Sequence, residues 1–272
     1  MTVHTVERGQ GPVLVCLHGI GSSSRSFHPQ LEGLSSEMRV LAWDAPGYGA
    51  SDELPAEVPE GIGAYADEVA SLITGGSMVV LLGVSWGGVI AIEVALRYPE
   101  LLCGLVLISA SRGSGRSEAS RQAMESRSVE LEELGIQEFA RRRAWALLSE
   151  TASPEALADV ERTMIASLHP GGHRRAAAAM AATNYSARLR EVTVPTLVVC
   201  GSADRITGVA EGEALARGIP EATLVVLDGV GHLANQEAPE AVNAWVASFV
   251  AIITEVNRSN PASEDDRLGV EL

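Results

Sequence analysis

Residues 78–97 read MVVLLGVSWGGVIAIEVALR. A short apolar run, Met78–Leu82, leads into Gly83-Val84-Ser85-Trp86-Gly87-Gly88, and Gly88–Arg97 follows as a helical segment. A strand that turns sharply through G-x-S-x-G into a helix brings two backbones close together. Glycines two before and two after the serine remove the Cβ atoms that would collide there. The turn pushes the serine up beside a helix N-terminus, whose partial positive charge favours a developing anion. The stretch therefore predicts a nucleophilic Ser85 at the end of a strand.

Working outward, the same kind of apolar run recurs at Val13–Leu17, Val40–Trp43, Leu105–Ser109, Thr196–Cys200 and Thr223–Leu227. Most are apolar at consecutive positions, which suits strands covered on both faces. Helical stretches Ala64–Ile73, Gly208–Arg217 and Pro239–Ile253 alternate with them. The expected fold is α/β, a mostly parallel twisted sheet with helices on both faces. Val3–Glu7 fits a short antiparallel edge strand. Between Ser111 and Arg190 no strand is legible. Four helical segments replace it: Ser117–Leu134, Gln137–Leu148, Pro154–Leu168 and His173–Thr183. We expect residues 1–111 and 191–256 to form the core and residues 112–190 a helical lid inserted after one strand. Residues 257–272, with Pro261 and the acidic run Glu264–Asp266, read as a disordered tail.

The chain has 272 residues and a net charge of −15, from 20 basic and 35 acidic side chains. Every basic residue is arginine, so Schiff-base lysines, Ser–Lys dyads and lysine-dependent phosphate loops are excluded. Net negative charge argues against nucleic acid as a partner. No apolar run reaches the roughly 18–20 residues that span a bilayer, and the first fifteen residues lack a secretory pattern. Cys16, Cys103 and Cys200 fit no zinc spacing and read as free thiols in a cytoplasmic protein. No metal or organic cofactor is expected.

A serine nucleophile needs a base. Of six histidines, His232 in Gly229-Val230-Gly231-His232-Leu233 lies just past the last strand, where a ring can reach another strand end. His169 and His173 flank Gly171-Gly172 and read as a turn between helices. The base needs a carboxylate to hold its tautomer. Asp204, after Thr196–Cys200, is favoured over Asp228, which reads as a turn cap. Leu17-His18-Gly19-Ile20-Gly21 follows another strand. Its Ile20 N–H, with that of Trp86, is the expected oxyanion donor pair. His18 reads as structural, holding its loop. Asp44-Ala45-Pro46-Gly47-Tyr48-Gly49-Ala50-Ser51 reads as a tight turn with Asp44 bonded to local backbone.

Together, the His18–Gly21, Asp44–Ser51 and Gly83–Gly88 motifs, Asp204 after a strand and Gly231-His232 resemble the α/β-hydrolase superfamily. The resemblance spans about residues 1–111 and 191–255. It implies a nucleophile, acid and base at Ser85, Asp204 and His232. Branches with aspartate at the Ser85 position are disfavoured. Gly231–Pro239 and Pro170-Gly171-Gly172 are similar to segments of 3-oxoadipate enol-lactonases. Carbon–carbon bond hydrolases carry Asn and Trp where this chain has Val84 and Leu233.

The expected activity is cleavage of a small-molecule carboxylic ester or lactone through an acyl-enzyme. The alternative is a C–C hydrolase or lyase using the same three residues. Trp145, Leu147, Met164, Met180 and Leu233 are candidate substrate contacts. Arg141-Arg142-Arg143 could meet a substrate carboxylate, although a solvated helix face is the plainer reading.

Overall fold

The protein is described here from a computed structural model, which covers residues 1–73 and 79–259. In chain order the elements are β1 (Thr5–Arg8), β2 (Val13–Leu17), α1 (His28–Gly33), β3 (Arg39–Trp43), α2 (Ile62–Leu72), β4 (Val79–Val84), α3 (Trp86–Arg97) and β5 (Leu102–Ile108). Then follow α4 (Glu118–Leu147), α5 (Pro154–Ser167), α6 (Pro170–Ala182), β6 (Thr196–Gly201), α7 (Val209–Gly218), β7 (Thr223–Leu227), α8 (Ala234–Glu237) and α9 (Pro239–Ser259).

The seven strands order as β1-β3-β2-β4-β5-β6-β7. Only β1 runs antiparallel, paired to β3 with Thr5 opposite Trp43. The other pairings are parallel, with Val15 opposite Leu81, Leu81 opposite Leu105, and Val199 opposite Val225. Every residue of β4 and of β6 is buried. That explains their unbroken apolar sequence: a central strand covered on both faces has no solvent side to mark with polar residues. At the β7 edge the burial lapses, and Val226 is exposed. Because the parallel strands point the same way, the loops after β2, β3, β4, β6 and β7 gather at one edge of the sheet.

The strand start expected at Met78 lies outside the described residues. The last helix runs to Ser259, past the boundary expected at residue 256. Residues 260–272 of the expected tail lie outside the described residues. Among the described residues, no helix is long and apolar enough to cross a membrane. The three cysteines are free.

Between β5 and β6 the chain is helical, with α4 bent where Gly135 leaves helical geometry (φ 71°, ψ 165°). A side chain at φ near +70° is disfavoured, so glycine permits the bend. The two arms match the two helices read from the sequence. This insertion is tied to the strand-end loops. Buried Glu211 accepts from Arg112 and Arg116, each at 2.8 Å. Arg175 donates to the carbonyls of Leu54 and Pro55. At the C-terminus of α4, where carbonyls lack helical partners, the Arg205 guanidinium donates to Trp145 O and Leu148 O, and the His232 N–H donates to Leu147 O.

Candidate active site

Ser85 sits between β4 and α3 with φ 54° and ψ −114°. A non-glycine residue at positive φ is strained and persists only where its surroundings enforce it. The surroundings are visible atom by atom. A Cβ on Gly83 would lie 2.4 Å from Gly87 O, and one on Gly87 would lie 2.1 Å from Leu17 O. No side chain fits at either position, which is the physical content of the G-x-S-x-G pattern. Ser85 lines a cavity with Gly19, Ile20, His232 and Leu233. The cavity encloses about 40 Å³, and about 690 Å³ when the open space at its mouth is included.

His232 reaches this cavity from the loop after β7. Its Nδ1–H donates to Asp204 Oδ2 at 2.9 Å and lies 3.0 Å from Oδ1. Both residues are buried. Asp204 Oδ1 also accepts from the N–H groups of Ile206 and Thr207, and Oδ2 accepts from the Thr207 hydroxyl at 2.6 Å. Burial works against ionising this carboxyl. The imidazole, the Thr207 hydroxyl and the Ile206 N–H outweigh it, and the pKa falls to about 2. Asp204 is therefore a fixed anion that holds its proton-bearing partner at Nδ1 and leaves Nε2 for the cavity. Asp228, the rival carboxylate, accepts instead from Ser202 on the exposed surface. The Ser85 hydroxyl makes no hydrogen bond to His232 among the described residues. Such contacts commonly tighten only once substrate is bound.

The backbone N–H groups of Ile20 and Trp86 have no acceptor among the described residues. Trp86 opens α3, so its N–H is one of the helix's orphan donors. Its side chain is fully buried and packs against His18, Tyr48 and Tyr65, leaving only its backbone near Ser85.

His18 is structural, as read. Its Nδ1–H donates to Gly19 O at 2.8 Å, and Nε2 accepts from the Ala45 N–H at 2.9 Å. Burial pushes its pKa down to about 4, so the ring is neutral. Asp44 bonds local backbone at the Ala50 N–H, as expected, but its carboxylate also accepts from the Ser24 N–H twenty residues earlier and faces His4 at 3.0 Å.

Of the five candidate substrate contacts, Leu147, Met164 and Leu233 line the cavity. Trp145 and Met180 do not. Phe139, Arg143 and Leu147 follow at four-residue intervals on α4 and share the inner stripe. Trp145, two residues from each of the latter pair, is turned to the far side of the helix. It is 57% exposed and lies under the Arg205 guanidinium at 4.8 Å. Met180 is buried, but it sits seven residues beyond His173 along α6, roughly 10 Å of helix rise, beside the Ser114 joint.

Two cavity-wall residues, Arg127 and His173, and Thr207 beside the acid have no such place in the sequence reading. Thr207, three residues after Asp204, carries a local signal. Arg127 carries none, since it reaches the cavity only through the bend of α4.

The model of the Alpha/beta hydrolase family matches residues 14–245. The protein named as carbamate hydrolase RutD in Agrobacterium fabrum is 30% identical over 258 residues, 91% of this chain and 96% of its own. An esterase from Thermogutta terrifontis has a TM-score of 0.82 at 28% identity, covering 92% of this chain and 93% of that one. The enol-lactonase from Burkholderia xenovorans LB400 has a TM-score of 0.81 at 23% identity, covering 92% and 96%, and so shares the fold. A strand-borne serine elbow and a family match across most of the sheet agree: this chain belongs to the alpha/beta hydrolase family.

Proposed function

We propose that Ser85, His232 and Asp204 act as nucleophile, general base and orienting carboxylate in the hydrolysis of a carboxylic ester or lactone. The observation that carries this reading is the buried His232–Asp204 hydrogen bond opening onto the same cavity as the strained Ser85. His232 Nε2 takes the Ser85 proton as Oγ attacks the carbonyl carbon. The Ile20 and Trp86 N–H groups receive the oxyanion, aided by the N-terminal charge of α3. Collapse breaks the bond to the leaving oxygen, which takes the proton from His232. Water, deprotonated by the same ring, then releases the acid from the acyl-enzyme. The helices between β5 and β6 act as a lid, supplying the cavity wall that selects the substrate.

The Thermogutta relative is titled an esterase, which favours an oxygen ester. The Agrobacterium relative is named for carbamates, whose carbonyl would accept the same attack. Labelling with a fluorophosphonate probe tests the nucleophile by intact mass. One adduct on Ser85, absent from Ser85→Ala, is expected. A folded protein that takes no adduct would overturn the reading. Product analysis on matched esters, lactones, carbamates and vinylogous diketones identifies the bond cleaved.

A further inference from the structure

The cavity wall contributed by α4 and α6 is unlike the rest of its lining. Arg127 on the first arm of α4, Arg143 on the second arm and His173 on α6 all face it. The neighbouring Arg141 and Arg142 lie on the outer face and bond Glu138. Arg127 and Arg143 are half-buried, and neither has a carboxylate within 4 Å among the described residues. The one described hydrogen bond of Arg127 is to Met124 Sδ at 3.7 Å. Glu130 acts on both guanidinium groups from beyond ion-pair distance.

His173 is 1% exposed. Its Nδ1 lies 3.3 Å from the Tyr48 hydroxyl, while its buried Nε2 has no partner. Burial, with Arg127 and Arg143 nearby, keeps the imidazole neutral, its pKa pushed down to about 4. With the Tyr48 hydroxyl donating to Nδ1, the ring carries its proton on Nε2, a buried N–H behind the cavity wall with no partner among the described residues. Two charged guanidinium groups and an unpartnered imidazole N–H thus share one wall of the cavity, with no carboxylate at ion-pair distance among the described residues. Partly buried like charges compensated only from a distance are unfavourable. A planar carboxylate, which arginine grips with two parallel hydrogen bonds, is the complement they lack. The net charge of −15 provides no general attraction for anions, so any preference for them must be local.

We propose that Arg127, Arg143 and His173 form a carboxylate-binding subsite in the Ser85 cavity, and that the substrate is an ester or lactone bearing a separate free carboxylate. The proposal rests on the reading of Ser85 as nucleophile. Apolar side chains such as Phe139 and Met164, which share the cavity, would cover the substrate's carbon chain.

The test compares the monoethyl esters of succinate, glutarate and adipate with the isosteric compounds whose free carboxyl is a carboxamide. The acid should exceed the amide in kcat/KM by at least about tenfold for one chain length, the scale of a charged hydrogen bond. Arg127→Met and Arg143→Met should each lower that acid-to-amide ratio by about tenfold or more, chiefly through KM. Arg141→Met, on the outer face, should leave the ratio unchanged. Equal turnover of acid and amide at all three lengths would overturn the proposal. So would an unchanged ratio in Arg127→Met and Arg143→Met proteins shown to be folded by circular dichroism, or an equal drop in Arg141→Met. Calorimetric titration of glutarate and adipate into Ser85→Ala separates the two readings, since binding needs no nucleophile. Dicarboxylate binding there that weakens about tenfold on adding Arg143→Met supports the subsite even if ester turnover proves independent of Ser85. Absence of binding alongside Ser85-dependent turnover sinks the subsite alone.

Discussion

The sheet edge and the helical insertion both face one cavity, yet they are built differently. At the sheet edge each functional group stands on a loop of a few residues that leaves a buried strand. Its position follows from strand register and from backbones so close that an added Cβ would lie 2–3 Å from its neighbours, which admits only glycine. In the insertion, position follows from how three helices lean on one another and on the loops below. A stripe of α4 faces inward only because Gly135 bends the helix and because Arg205, the His232 N–H and Glu237 hold its C-terminal end. The edge is suited to fixed chemistry. The insertion is suited to selection, since its wall can change without disturbing the strands.

The difference can be broken or sharpened by experiment. Ser85→Ala should lower turnover by about 10⁶-fold if the three residues act as a unit, with the melting temperature little altered. Turnover of a chromogenic ester by the purified variant, checked for contaminating esterase, measures it. Asp204→Asn keeps the shape but favours the wrong imidazole tautomer, and should cost about 10⁴-fold in kcat. Thr207→Val removes the 2.6 Å donor to Asp204 and should cost about tenfold to a hundredfold, the worth of a hydrogen bond to a charge. Single-turnover kinetics on both variants would show whether the loss lies in acylation.

The pH dependence of stability compares the two regions directly. His18 at the edge and His173 in the insertion are buried and neutral, each with its pKa pushed from about 6.5 to about 4. The unfolded chain therefore binds more protons than the folded one between those values. The stability each contributes is full above about pH 6.5 and is lost as pH falls towards 4, at about 1.4 kcal/mol per pH unit per group. Urea unfolding from pH 7 to pH 4.5 should show this slope, and His173→Asn should remove roughly half of the part due to these two rings. A slope unchanged in that variant would mean that His173 is already protonated or exposed. The smallest effect is expected at Trp145. Its Arg205 contact is on the surface, so Trp145→Ala should cost less than about 1 kcal/mol and leave substrate preference unaltered. Met164→Ala, in the cavity wall, should change that preference. A reversal of these two outcomes would show that the inner and outer faces of the insertion have been exchanged.

What could be read from the chain alone was whatever depends on neighbours in sequence. Val13–Leu17 and Thr223–Leu227 are strands with the bounds their apolar runs mark. The turn at Ser85 is forced by its flanking glycines, and His18 and Asp44 hold loops whose partners lie close to strand ends. Asp204 and His232 could be nominated because each follows a strand, and strand ends of a parallel sheet converge on one edge. The cavity wall was beyond that reasoning. Trp145 and Arg143 are two residues apart and both plausible on paper, but helix phase and the bend at Gly135 turn one outward and the other in. Arg127 joins Arg143 from sixteen positions away, and His173 comes from a different helix. Sequence determined the strand edge because local sterics leave it one conformation. Tertiary structure decided the lining because helix packing, with many near-equal rotations open to it, is settled only by contacts between distant segments.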